Sequence, residues 1–185
     1  ENSSCLDAAT DLVGKGCSII FSNSYGHQTF MAQAAEQFPD VTFVSMTGDF
    51  AAVSGIANLK NAFTSVYQAR YVSGVVAGMK VKELVESGTL TKDTQPGSFD
   101  DQGRVKIGYV GAYNYAEVVS GYTAFFLGIR YVYPDVVMEV NYTNSWFDID
   151  KEAAAAEALI ANGCVIIGQH ADSTGAPAAT EKLLN

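Results

Sequence analysis

The chain partly repeats itself, and self-similarity narrows the choice of fold more than composition does. Leu12 to Ile20 reads LVGKGCSII and Leu159 to Ile167 reads LIANGCVII, with Leu, Gly, Cys and the two final Ile at matching offsets. An Ala-rich helical pattern precedes each copy. Polar residues follow, Ser22-Asn23-Ser24-Tyr25 in one and Gln169-His170-Ala171-Asp172 in the other. A second echo pairs Phe38-Pro39-Asp40-Val41 with Tyr133-Pro134-Asp135-Val136, each leading into an apolar run. Gly16 and Gly163 read as helix stops, because the residue just past a helix often needs a positive φ that glycine adopts at little cost. The apolar runs after them read as strands of a parallel sheet, buried on both faces between layers of helices. The polar tetrads then fall beyond the carboxyl ends of strands, where open α/β sheets bind ligands. Two related α/β halves are expected.

With 185 residues, 48% of them apolar, the chain has enough material for one large core or two small ones. A net charge of -9 without any Lys/Arg cluster repels phosphate backbones, which excludes nucleic acid as a partner. The three cysteines follow neither CxxC nor CxxH spacing, so Cys17 and Cys164 read as small core hydrophobes. Two histidines without HExxH spacing exclude a site of several imidazoles, and no metal is expected. Gly108 and Gly111 form GxxG, short of any phosphate-binding glycine motif, and no cofactor is expected. No apolar run is long enough to span a bilayer.

Periodicity predicts helices over 7–15, 28–37, 67–85, 116–132, 151–161 and 178–184. Strands are expected over 18–21, 41–46, 105–110, 136–142 and 165–168, with a weaker one over 57–63. The turn-rich stretch 87–104 reads as a crossover between lobes, dividing the chain into 1–103 and 104–185. Ala69, Ser73, Ala77 and Gly78 form a small-residue helix face that suits close packing within the core, or a dimer seam. The first helix has no strand before it and the last has none after it. The chain is therefore expected to be the middle of a longer polypeptide, its outer strands missing at both ends.

Five stretches carry a family likeness: Ser24-Tyr25-Gly26; Tyr67-Gln68-Ala69-Arg70-Tyr71 with Ser73-Gly74 and Ala77-Gly78; Ile107-Gly108-Tyr109-Val110-Gly111; Tyr142-Thr143-Asn144-Ser145-Trp146-Phe147-Asp148; and Gln169-His170-Ala171-Asp172-Ser173. Together they resemble the Bmp family over essentially the whole chain. These are basic membrane lipoproteins similar to the purine nucleoside receptor, the substrate-binding components of ABC importers. The resemblance implies a type I periplasmic-binding-protein fold: α/β, two doubly wound lobes with parallel sheets, here truncated at both ends, with the ligand held between the lobes. It further implies an extracytoplasmic, cell-surface lipoprotein that touches the membrane only through a lipid anchor outside this chain. The implied partners are ABC permease subunits and a small nucleoside-like ligand. Members that bind nucleosides sandwich the base between aromatic rings, and the matching second-lobe position is Trp146, with Asp148 after it. The family's N-terminal Asp, aromatic and Asn motif, and its late Asp and Lys, have no counterpart.

The candidate contacts also have bottom-up readings. Trp146, the only tryptophan, sits among polar residues after a strand, as a stacking platform or as a cover for the sheet end. Tyr113, Asn114 and Tyr115 follow Gly111 ahead of a helix whose first amides aim at the same edge, unless they form an ordinary solvated loop. Asn23, Ser24 and Tyr25 suit a neutral hydroxylated ligand, or capping of a helix that starts near His27. His170 and Asp172 offer hydrogen bonds to a ligand or to the fold. No nucleophile in a GxSxG turn accompanies them, so catalysis is not expected. The reading is a solute-binding component of an ABC importer, not an enzyme. Its alternatives are a ligand-sensing regulatory domain of the same fold and an α/β enzyme acting on nucleosides or sugars. A signal peptide with a lipid-anchor cysteine, a helix-turn-helix, or turnover would tell them apart.

Overall fold

A computed structural model describes residues 3–184. The chain forms two compact units, one running to Thr64 and the other starting at Ser65. In the first, α1 (Ser4–Gly14), β1 (Ile19–Ser22), α2 (Gln28–Gln37), β2 (Thr42–Met46), α3 (Ala51–Ser54) and β3 (Leu59–Ala62) alternate. Its three strands are parallel in the order β1-β2-β3. The register places Ile20 beside Phe43 and Phe43 beside Leu59. That row packs with Ala9, Met31, Ala34 and Ala35 into one core. The Asn58 amide nitrogen donates to the carbonyls of Ala35, Phe38 and Val41 at 2.9, 3.1 and 2.8 Å, tying the end of α2 to the start of β2.

The second unit holds α4 (Val66–Glu86), β4 (Val105–Gly111), α5 (Ala116–Val132), β5 (Val136–Tyr142), α6 (Ile149–Ala161), β6 (Ile166–His170) and α7 (Gly175–Leu184). Its parallel sheet runs β5-β4-β6. Alternate residues of β4 serve opposite faces. Ile107 and Tyr109 join Val81, Phe125 and Ile129 of α4 and α5, whereas Val110 joins Ala156, Leu159 and Ala179 of α6 and α7.

Burial on both faces, expected of the strands after the glycine stops, fails at β1. Ile20 and Ser22 are buried, but Ile19 and Phe21 are 50% and 62% exposed. A strand sends alternate side chains to opposite faces, and the described helices cover only one face of β1. The glycine stops themselves appear as read, with φ of 87° at Gly16 and 94° at Gly163. The Gly16 amide donates to Val13 and Cys17 to Leu12, while Gly163 donates to Ile160 and Cys164 to Leu159. Both are the same two-bond closure of a helix end.

The division between units lies well before the expected 103/104 boundary. Helix α4 belongs to the second unit because it crosses α5 nearly backbone to backbone. A β-carbon on Gly74 would lie 2.0 Å from the Phe125 carbonyl oxygen, and one on Gly128 would lie 2.2 Å from that of Tyr71. Of the expected small-residue face, Ala77 and Gly78 pack inside this unit, whereas Ala69 and Ser73 are exposed. The stretch 87–104 also packs within the second unit: Leu90 and Ser98 are buried, and Phe99 bridges to Val105. It does not serve as a crossover between the two units. The connection between them is the short Phe63-Thr64-Ser65 link that follows β3.

Candidate ligand-binding site

The carboxyl edge of the β5-β4-β6 sheet gathers most of the residues singled out in the sequence. Gly111 ends β4, and the chain then places the Tyr113 and Tyr115 rings in a parallel stack, 4.9 Å between centroids. Trp146, from the loop after β5, leans on both at 5.6 and 6.5 Å. On its other side the His170 ring meets Trp146 edge-on at 6.2 Å. These rings form a half-buried aromatic wall, the kind of surface on which a planar base or sugar face packs while losing little side-chain entropy.

The loop that carries Trp146 is held in an unusual conformation. Asn144 has φ of 54°, and the Thr143 hydroxyl donates to the Ser145 carbonyl at 2.8 Å. A left-handed non-glycine residue is a strain that surrounding bonds must hold in place. The first unit has a parallel case at Thr47, φ 59°, immediately after β2. Across the second unit's edge the Asp172 amide donates to the Trp146 carbonyl at 2.7 Å, and the Tyr142 hydroxyl lies 3.1 Å from that of Tyr122 and 3.3 Å from Asn114 Oδ1.

Asp148, an expected ligand contact, is engaged within the fold. Its carboxylate accepts from the Lys151 amide at 3.0 Å and pairs with the Lys151 ammonium at 2.9 Å, which makes it the N-cap of α6. Ser24 does not cap with its side chain. A 3₁₀ turn over Tyr25–His27 precedes α2, which starts at Gln28. Asn23, Ser24 and Tyr25 lie together just past β1, on the first unit's own strand edge.

Electrostatically, the second unit's edge is a surface of hydrogen-bonding groups. Burial, with the Arg70 charge second, lowers His170 to about 4, so it is neutral near pH 7. Its Nε2 lies 3.8 Å from Glu117, and with a neutral ring this is a polar contact rather than an ion pair. Burial raises the Glu117 carboxyl, and Asp172 adds to that while Arg70 opposes it. Burial likewise raises Asp172, with a further push from Glu152. Four buried polar atoms in the structure have no partner among the described residues: Arg70 Nε, Tyr109 OH, Gln169 Oε1 and His170 Nδ1. All four belong to the second unit. Among the described residues no group of three or more His, Cys, Asp or Glu could hold a metal ion.

Sequence reasoning passed over Arg70, Glu117 and Glu152. Glu152 had a signal, an acid four residues past an Asp cap at a helix start. Glu117 had a weaker one, an acid in the first turn of α5. Arg70 stood within a quoted motif, but its distance in sequence from His170 hid the relation.

Comparison with known proteins agrees with this picture. The family model of the PnrA-like ABC transporter substrate-binding proteins matches residues 1–183. A purine-binding protein of Brucella abortus is 37% identical over 161 residues, covering 87% of this chain and 39% of that protein. A putative ABC transporter glucose-binding protein of Haloferax volcanii, TsgA13, is 33% identical over 158 residues, covering 85% of this chain and 34% of that one. The chain thus spans well under half the length of these relatives. A crystal structure of an ABC transporter solute-binding protein from Aeropyrum pernix superposes with a TM-score of 0.70 at 12% identity, over 100% of this chain and 47% of that one, and so shares its fold. The relatives are binding proteins rather than enzymes. With an aromatic edge on a parallel α/β sheet and a family match over nearly its whole length, the chain belongs to the Bmp family of PnrA-like ABC transporter substrate-binding proteins.

Proposed function

We propose that the natural protein bearing this chain delivers a nucleoside-like ligand to an ABC permease, with the ligand's ring packed on the wall formed by Tyr113, Tyr115 and Trp146. The carrying observation is that wall, beside a neutral His170 whose buried Nδ1 has no partner among the described residues. Rings bind a base through its face, and hydrogen-bonding groups beside them suit a hydroxylated molecule. Asn114, His170 and Asp172 complete the proposed contacts on the second unit. Asn23, Ser24 and Tyr25 are proposed contacts because their amide and hydroxyl groups lie just past β1. Capture by closure of two lobes is part of the proposal and rests on the resemblance alone. So does a lipid anchor at the outer surface; among the described residues no helix is long and apolar enough to cross a membrane.

The purine-binding relative supports the nucleoside reading, whereas the glucose-binding one favours a second, a hexose stacked on the same rings. Thermal-shift titration of the intact natural protein with inosine, adenosine, hypoxanthine, adenine and glucose separates them. Stabilisation by the nucleosides is the expected result. Stabilisation by glucose alone replaces the ligand class, and no response to any of them contradicts the reading.

A further inference from the structure

Glu152 is 0% exposed and forms no ion pair among the described residues. Burying a carboxylate without a cation is costly, so whatever it touches is informative. Its Oε1 accepts from two amides at once, those of Asp148 and Ser173, each at 3.2 Å, and its Oε2 also lies 3.2 Å from the Ser173 amide. The bond to Asp148 belongs to the start of α6, already capped by the Asp148 side chain. The bond to Ser173 does nothing for α6. It reaches 21 residues along the chain into the loop after β6, whose Asp172 amide donates to the Trp146 carbonyl.

From this bridge we infer that Glu152 is a positioning residue of the ligand site: one of its carboxylate oxygens pins the loop of Trp146 to the loop of His170 and Asp172. The inference rests on the proposed site and adds what sets its geometry. Around the pin, Gln169 Nε2 donates to the Ala171 and Ser173 carbonyls at 2.8 Å each, and the Ser173 hydroxyl accepts from the Gly175 amide at 3.1 Å. Without Glu152, the buried Ser173 amide and the part-buried Asp148 amide lose this acceptor and the edge of the site is free to shift.

The test uses the intact natural protein with Glu152→Gln, Glu152→Asp and Glu152→Leu, each shown to be folded by circular dichroism. Acrylamide quenching of Trp146 fluorescence, isolated by subtracting a Trp146→Phe variant, reads the loop without any ligand. Calorimetric titration with inosine and with glucose reads the site. Gln retains an acceptor oxygen at the bridge, so quenching matches the wild type and affinity stays within about threefold. Leu has no acceptor and Asp is one methylene too short, so quenching rises and affinity falls about tenfold or more. Asp decides the matter if Leu does not fold. Unchanged quenching in a folded Asp or Leu variant overturns the inference, as does a loss in Gln equal to that in Leu. If the wild type binds neither probe, the functional reading fails, while quenching still decides the role of Glu152.

Discussion

The two units close their strand edges differently. In the first, polar groups satisfy one another: Gln28 Oε1 accepts from the Asp49 and Phe50 amides at 3.0 and 2.9 Å, and Asn61 Oδ1 accepts from Ala51 at 2.7 Å. In the second, rings crowd together and the four unpartnered buried atoms gather around β4 and β6. An unpaired buried polar atom costs free energy and calls for an explanation. The first edge is satisfied from within the fold, and the second leaves polar atoms for the proposed ligand to meet. The strands β4 and β1 differ as well, the central β4 being covered on both faces and the edge strand β1 on one.

The largest expected effect tests that difference in cover. Ile107→Ala empties a fully buried position and is expected to cost about 2–5 kcal/mol in chemical denaturation. Phe21→Ala, at an exposed position of β1, is expected to change stability by no more than about 0.5 kcal/mol. Equal losses would erase the distinction between β4 and β1.

Acid probes the unsatisfied edge. His170 titrates near 6.5 in the unfolded chain and near 4 when folded. The unfolded state therefore binds its proton first, and stability is lost as pH falls from about 6.5 to about 4, by roughly 3 kcal/mol at most. Glu117 and Asp172 act in the opposite direction, because their raised carboxyls favour the folded state as they protonate. In His170→Asn, the urea midpoint should vary less with acid over that window. An unchanged slope would show that His170 does not carry the effect.

A smaller effect is expected at the first unit's satisfied network. Asn61→Ala removes the acceptor of the Ala51 amide and should cost about 1–3 kcal/mol by urea denaturation. If it also changes ligand affinity as much as a substitution at Trp146 does, the contrast between a structural edge and a binding edge is wrong.

The order of elements was readable because local signals agree. Helix α2 occupies the expected 28–37, and the glycine stops locate the turns into β1 and β6. Helix α7 starts at Gly175 rather than 178, since Pro177 is tolerated in a first turn where its missing amide has no helical partner. The two echoes, however, do not mark a duplicated half. The glycine motif joins α1 to β1 and α6 to β6, whereas the Pro-Asp motif joins α2 to β2 and α5 to β5, so their order reverses between units. What repeats is a helix-to-strand joint, a local solution that any such unit can reuse. The allegiance of α4 was hidden because a glycine face says that a helix packs closely, without saying against which partner. The aromatic wall was partly legible, since Tyr113, Tyr115 and Trp146 follow strands and His170 ends one. Arg70, Glu117 and Glu152 depend on contacts distant in sequence, which periodicity does not encode.

The central claim is that the second unit's aromatic edge binds the ring of the ligand. Its most direct test is calorimetric titration of inosine into the intact natural protein and into its Trp146→Ala variant. The account predicts a loss of about ten- to a hundredfold in affinity, the worth of one base-on-ring stack, with the melting temperature of the unliganded protein nearly unchanged. Equal affinity in the two proteins would contradict it.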